Sequence, residues 1–483
     1  MSRAVRDHPG HHASVHHHPT SAFRSPPQAA VKPRLTYHHH KQGHIIPRGK
    51  TASATSCDTT LADAGDEYLF SGSTDASSSL FGLTRDRHHK LRPAAAFEAL
   101  QSRRTGPSVY LPIWYSLPTL EAFRKARAIA GDACTRRRDD FAPMRPGRIA
   151  TYKYETQEAY YAQYANSMYA ITMPKAGLDS MRHYEILASG SVPYFVGSAA
   201  LTANPLTMYA FPRAAVHAAS SLPGVPAEAH VAEALQTDKP LSINYSIFDM
   251  PRFCALRAQL IAHTERYLTT RTLASYVLEQ LRHAVPSALP AGVTPRVLMI
   301  TSKGVSGDTW QNAFLYHGLV QLLGPRFSSY LGRKEVLYED FIYPHRFCCY
   351  GRGYSYARTL HTPPIYRQCS KSFADSTLRN QVRRRLEFGY FNVIIVTTQA
   401  NKCCQLARCY GDEIPKLINA YIKRRGNATA VATVDGSDGF GGCGGATFGE
   451  LDRIDAHFLR EVDSRHNGRT ARLVRAPHTS IIP

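Results

Sequence analysis

The sequence predicts an α/β chain of two parallel-sheet units behind a disordered arm. Short apolar runs alternate with stretches of helical periodicity along the second half of the chain, the pattern of a parallel sheet with crossover helices. A glycine loop, a helix, a glycine stop and a strand follow one another between residues 175 and 195. Residues 1–105, by contrast, are rich in His, Pro, Ser, Thr and Ala and keep no apolar period. Such a segment buries too little surface to offset its ordering entropy. Its clusters His16-His17-His18 and His38-His39-His40 read as low-complexity tail rather than as a metal site.

The chain has 483 residues, which at roughly 100–200 residues per domain admits two to four domains. The first unit is read as 106–285. Val109 to Ile113 looks like a strand entering a core, and Thr119 to Ala130 carries apolar and basic residues at helical spacing. Arg136-Arg137-Arg138-Asp139-Asp140 reads as a solvated loop. A Tyr-rich stretch, 150–164, leads into the strand Tyr169 to Thr172, and a long helical pattern runs from Met250 to Leu281. Residues 286–295 are the linker, because Pro286, Pro290 and Gly292 interrupt any regular element.

The second unit is read as 296–462. It opens with the apolar run Val297 to Ile300, a loop containing Gly304 and Gly307, Asp308 as a helix cap, and a helix that stops at Gly324-Pro325. Strand, glycine-containing loop and helix is a Rossmann-like opening. A basic helix (377–386), a buried strand (392–398), a helix (414–422) and a strand (430–434) continue the alternation. Residues 463–483 form a basic tail.

The segment from Lys175 to Phe195 carries the chemistry. Asp179 can cap its helix, Met181, Tyr184, Leu187 and Ala188 form an apolar stripe, and Gly190 sits where a left-handed C-cap is needed. Arg182 and Glu185, three apart, share one side of the helix. A helix N-terminus with Lys175 and Gly177 in the loop feeding it and Arg182 close by suits a pyrophosphate. A carboxylate one turn on can accept hydrogen bonds from ribose hydroxyls. His183 reads as a hydrogen-bonded structural residue rather than an acid–base group.

At Arg182, Tyr184-Glu185, Ala188-Ser189-Gly190 and Pro193 the chain resembles the exostosin-like glycosyltransferases of the GT-B superfamily. The close match covers about 21 residues. The resemblance implies a GT-B-like pair of Rossmann-like domains with a nucleotide sugar, such as a UDP-sugar, in the cleft between them. It implies that Glu185 binds the ribose and Arg182 the diphosphate. One departure stands out: retaining members often place a second Glu eight residues before the ribose Glu, where this chain has Gly177. No catalytic residue is assigned for that reason.

In the second unit, Lys303, Arg352, Asp435 and Asp438 are the candidate contacts. Lys303 lies in the loop after the first strand, Arg352 lies between glycines among tyrosines, and Asp435-Gly436-Ser437-Asp438 reads as an Asp–Gly turn at a strand end. The two Asp residues are also the pattern that holds a divalent metal against a diphosphate, although GT-B enzymes generally require none. No metal ligand is assigned. The 10 cysteines fit a reduced compartment as buried, inert thiols; Cys348-Cys349, Cys369, Cys403-Cys404 and Cys409 lack paired C-x-x-C spacing.

Lys and Arg total 58 against 37 Asp and Glu, a formal charge of +21. That excess suits a polyanionic partner. No apolar run approaches the roughly 18 residues of a membrane span, and the start has no apolar signal core. The expected location is therefore cytoplasmic or nuclear rather than secretory, and the acceptor patterns Asn244-Tyr245-Ser246 and Asn427-Ala428-Thr429 read as chance matches. Two functions follow. One is sugar transfer from a nucleotide sugar to a hydroxyl of a glycan, a protein or a modified nucleic-acid base. The other is non-catalytic nucleic-acid binding on a degenerate glycosyltransferase fold.

Overall fold

The computed structural model describes residues 109–131, 134, 137–154, 156–174, 177–237, 239–301, 310–330, 376–397, 412–436 and 449–461. The arm 1–105, the tail 463–483, and the candidate residues Lys175, Lys303, Arg352 and Asp438 lie outside them, as do Asp308 and Cys348, Cys349, Cys369, Cys403, Cys404 and Cys409.

Strands β1 (Val109–Pro112), β2 (Asp139–Phe141), β3 (Ser167–Thr172), β4 (Val192–Phe195), β5 (Val297–Ile300), β6 (Phe327–Ser329), β7 (Val393–Thr397), β8 (Ala430–Asp435) and β9 (Ala456–Leu459) form two sheets. The larger runs β1-β9-β8-β7-β5-β6 and the smaller β2-β3-β4; every neighbouring pair is parallel. The α/β class and the parallel sheets match the expectation.

The larger sheet is apolar on both faces, as a parallel sheet covered by helices must be. Val297, Met299, Val393, Ile395, Ala430 and Ala432 pack into one core, and the alternate residues Leu298, Ile300, Ile394, Val396 and Val431 into another. Helices α8 (Thr270–Ala284) and α9 (Trp310–Leu323) supply residues to the first core. Helices α10 (Ser376–Glu387) and α11 (Glu413–Arg425) supply residues to the second. The crossing of α8 and α9 is close: a Cβ on Gly318 would lie 2.0 Å from the Thr270 carbonyl oxygen. Only glycine fits there.

Helices α1 (Glu121–Ala130), α2 (Gln157–Ala165), α3 (Met181–Ala188), α4 (Ser198–Ala203), α5 (Arg213–Ser220), α6 (Glu228–Thr237) and α7 (Met250–Tyr267) belong to the half built on the smaller sheet. Pro193 is tolerated in β4 because β4 is an edge strand, where a missing amide donor costs no ladder bond. Among the described residues no helix is long and apolar enough to cross a membrane.

Two elements counted with the first unit in the sequence pack with the larger sheet instead. Strand β1 pairs with β9, from Val109 opposite Ala456 to Pro112 opposite Leu459. Helix α8 packs on α9 and β8. The chain therefore passes between the halves at 113–120 and again where α7 gives way to α8. These two passages touch: the Leu117 amide donates to the Leu268 carbonyl at 2.8 Å, and the Thr270 amide to the Leu117 carbonyl at 3.0 Å. Within 286–295, Ala288 and Leu289 are buried in the core.

Two local expectations are corrected. Asp139 and Asp140 are not loop but strand β2, and Asp140 is satisfied there by the Ile243 amide (2.8 Å) and the Tyr245 hydroxyl (2.5 Å). Arg137 is not solvated but buried, donating to the Ala130 carbonyl at the end of α1 at 3.0 Å. The cysteine expectation also changes. Cys134 and Cys254 form a disulfide, with Cα atoms 5.6 Å apart, that ties the segment after α1 to α7.

Candidate functional site at the carboxyl ends of the two sheets

Helix α3 forms where the sequence places it. It crosses from β3 to β4, and Gly190 just beyond it takes φ +80°. Its burial exceeds the predicted stripe: His183, Glu185 and Ile186 are buried along with Met181, Tyr184, Leu187 and Ala188, leaving only Arg182 partly buried. Buried polar side chains on such a helix must find partners or bear the cost of lacking them.

His183 finds both. Its Nδ1 lies 2.9 Å from the Thr172 hydroxyl and its Nε2 3.0 Å from the Leu178 carbonyl oxygen. Burial holds its pKa down to about 3, so it is a neutral structural imidazole. Glu185 is only half satisfied. At 2% exposure, its Oε2 accepts from the Tyr160 hydroxyl at 3.0 Å while Oε1 has no partner. Burial pushes its pKa up to about 7, with Tyr160 and Arg182 pulling the other way. Arg182 does not pair with it. Its Nη2 donates to the Tyr152 hydroxyl at 2.8 Å and its Nε is unpartnered. The two residues read as one recognition pair thus attach to different tyrosines.

Asp179 does not cap α3. Ser180 occupies the cap position without a side-chain hydrogen bond. Instead Asp179 joins the two sheets. Its Oδ2 accepts from the Tyr115 amide at 3.0 Å, just past the carboxyl end of β1. Its amide donates to Glu461 Oε1 at 3.0 Å, and its carbonyl accepts from Arg460 Nη1 at 2.9 Å. Arg460 and Glu461 directly follow β9. The Arg460 amide donates to the Asp435 carbonyl at 3.1 Å and its Nε to the Gly436 carbonyl at 3.0 Å, while its guanidinium lies 4.6 Å from the centre of the Tyr115 ring. The loop feeding α3, after β3, thus meets the carboxyl ends of β1, β8 and β9.

Among the predicted residues, this arrangement brings the Gly177–Asp179 loop and the Asp435 end of β8 to the same guanidinium. It also places the Glu461 carboxylate on the loop amides where a diphosphate was expected. Asp179, Glu461 and Arg460 are all buried. Burial raises the Asp179 pKa to about 6 against the pull of Arg460 and the Tyr115 amide, and the Glu461 pKa to about 7 against the pull of Arg460. Glu461 Oε2 has no hydrogen-bond partner, and the Tyr184 hydroxyl lies against the Asp179 carboxylate. Buried carboxyls held near neutrality can take up or release a proton, and such groups cluster at functional sites.

Arg460 and Glu461 were missed by sequence reasoning. The available signal was a charged pair at the end of the apolar run Ala456 to Leu459, since ligands of open α/β sheets gather at strand carboxyl ends. Among the described residues no group of three or more His, Cys, Asp and Glu is arranged to hold a metal. Comparison with protein-family models, curated proteins and solved structures returns no match.

Proposed function

We propose that the chain is a glycosyltransferase with two Rossmann-like halves arranged as in GT-B enzymes, moving a sugar from a nucleotide sugar to a hydroxyl acceptor. The observation that carries this reading is the meeting of the α3 amino side with the carboxyl ends of β1, β8 and β9 through Asp179, Arg460 and Glu461. Ligands of parallel sheets bind outside strand carboxyl ends, and here two sheets offer theirs to one place.

In this reading the nucleotide occupies the α3 side. A ribose hydroxyl donates to the spare oxygen of Glu185, removing an unsatisfied buried acceptor, and Arg182 faces the diphosphate. The acceptor oxygen bonds to the anomeric carbon, the bond from that carbon to the diphosphate breaks, and the acceptor proton passes to a carboxyl of the Asp179–Glu461 pair. A base is most useful with a pKa near the working pH, which supports Glu461 for that role.

The test is a thermal-shift screen of UDP- and GDP-sugars on the full chain, followed by donor hydrolysis. At least one nucleotide sugar raises the melting temperature, and Arg182→Ala and Glu185→Gln abolish the rise. The proposal fails if no nucleotide sugar binds or is hydrolysed. Steeply salt-dependent nucleic-acid binding alongside that failure would put a binding protein in its place.

A further inference from the structure

We infer that the chain folds in an oxidising, glycosylating compartment, where Cys134 and Cys254 are joined and Asn244 carries an N-linked glycan. The inference stands independently of the reaction proposed above.

Two observations from different parts of the physics converge on it. The first is the disulfide. Cys134 follows α1 and Cys254 lies in α7, 120 residues apart in sequence, and the fold brings their Cα atoms to 5.6 Å. That separation lies within the range a disulfide spans, and such bonds persist where thiols are not kept reduced. The second is the acceptor tripeptide Asn244-Tyr245-Ser246. It sits in a turn between α6 and α7, outside regular structure, with Asn244 and Ser246 both exposed. N-glycosylation needs this residue pattern on an accessible surface segment.

The geometry within the tripeptide is suited to the transfer. The Ser246 hydroxyl donates to Asn244 Oδ1 at 2.6 Å and the Ser246 amide to the same oxygen at 3.2 Å. Both bonds draw charge onto Oδ1 and leave the Nδ2 hydrogens more acidic. The backbone of the turn is anchored separately. The Asn244 amide donates to the Gly224 carbonyl at 2.8 Å, and Asp140 accepts from the Ile243 amide and the Tyr245 hydroxyl. A glycan on Nδ2 therefore disturbs none of the contacts that hold the loop. The second tripeptide differs: Thr429 is fully buried and donates its hydroxyl to the Phe391 carbonyl, and Asn427 Oδ1 accepts from Arg453.

The glycan arrives on a polyprenol diphosphate-linked oligosaccharide. The bond between its anomeric carbon and the diphosphate breaks, Asn244 Nδ2 bonds to that carbon, and the amide proton leaves with the lipid diphosphate. The two cysteine thiols lose two electrons and two protons to a disulfide-bearing oxidoreductase, whose own disulfide becomes two thiols.

The test is expression of the full chain in eukaryotic cells, thiol alkylation without reduction, enzymatic deglycosylation and peptide mass spectrometry. The expected result is Asp at position 244 after deglycosylation and a linked Cys134–Cys254 peptide. Asn244→Gln and Ser246→Ala each remove one glycan step from the gel mobility, and Ser246→Thr keeps it. An unmodified Asn244 peptide overturns the glycan assignment, and alkylated Cys134 and Cys254 overturn the compartment.

Discussion

At the carboxyl end of α3, Arg127 and Arg257 donate to the Ala188 and Gly190 carbonyls, and Arg127 also pairs with Glu265 at 2.6 Å. On its amino side, Asp179 and Glu461 share Arg460, and Glu461 keeps one carboxylate oxygen without a partner. The carboxyl end follows the helix dipole, with cations donating to carbonyls. The amino side holds acids that burial pushes toward neutrality, and leaves Glu461 under-satisfied. Burial of charge alone does not mark a site; the difference lies in which oxygens still lack a donor.

The largest test of that contrast is Arg460→Ala. It removes the cation from beside two buried carboxylates, and breaking such a pairing costs about 3–5 kcal/mol. Denaturant unfolding measures it. A loss below about 1 kcal/mol would show that both carboxyls are protonated in the folded chain, collapsing the contrast. Next is Gly190→Ala at the other end. Gly190 has φ +80°, and a Cβ there would lie 2.9 Å from both Arg127 Cδ and Arg257 Nη2. A cost of about 2 kcal/mol is expected, with no dependence on pH near neutrality.

Glu461→Gln sharpens the comparison through pH. Burial raises the folded pKa of Glu461 from 4.5 to about 7, so the folded chain holds a proton that the unfolded chain releases. Its contribution to stability is full below about pH 4.5 and is lost as pH rises through about 7. Glutamine cannot ionise, so the variant gains on the wild type across this window, by up to about 1.4 kcal/mol per pH unit for one proton. Urea unfolding at about pH 5, 6 and 8 reads the difference, which should level off at the top of the range. A flat difference would mean that Glu461 stays ionised throughout. The smallest effect is Arg124→Ala. Arg124 also pairs with Glu265 at 3.0 Å, but its side chain is 57% exposed, and Arg127 remains on that carboxylate. Less than about 1 kcal/mol is expected by thermal unfolding. A larger loss would mean that Arg127 depends on Arg124 for its position.

Helix α3, Gly190 and β4 were legible in the sequence because their signals are local: an apolar stripe, a left-handed glycine and a strand within 21 residues. The parallel α/β character was legible because both faces of β5, β7 and β8 are apolar. Strand β9 was not. It is four residues long with His457 in its middle, and that imidazole is accommodated only because Thr433 in β8 lies 2.7 Å away and the Tyr110 ring of β1 stacks on it. Those neighbours come from distant parts of the chain, and so do the partners of Asp179. A helix-cap reading of Asp179 is sound local chemistry, yet the Tyr115 amide competes for the same carboxylate. The disulfide was hidden for the same reason, since adjacent cysteines drew the reading toward spacing while the pair that meets is 120 residues apart.

The pairing of β1 with β9 also sets an order of events during synthesis. Val109 lies among the first described residues to leave the ribosome, yet its partner, Ala456, lies among the last. Until then β1 is a short apolar strand with no edge to join, and the open edge of β8 waits beside it. Edges of this kind invite intermolecular pairing. A nascent chain stalled before residue 456 should therefore be more prone to aggregate and to recruit chaperones than one a few residues longer. Removing the last described segment should carry the same penalty in the finished protein.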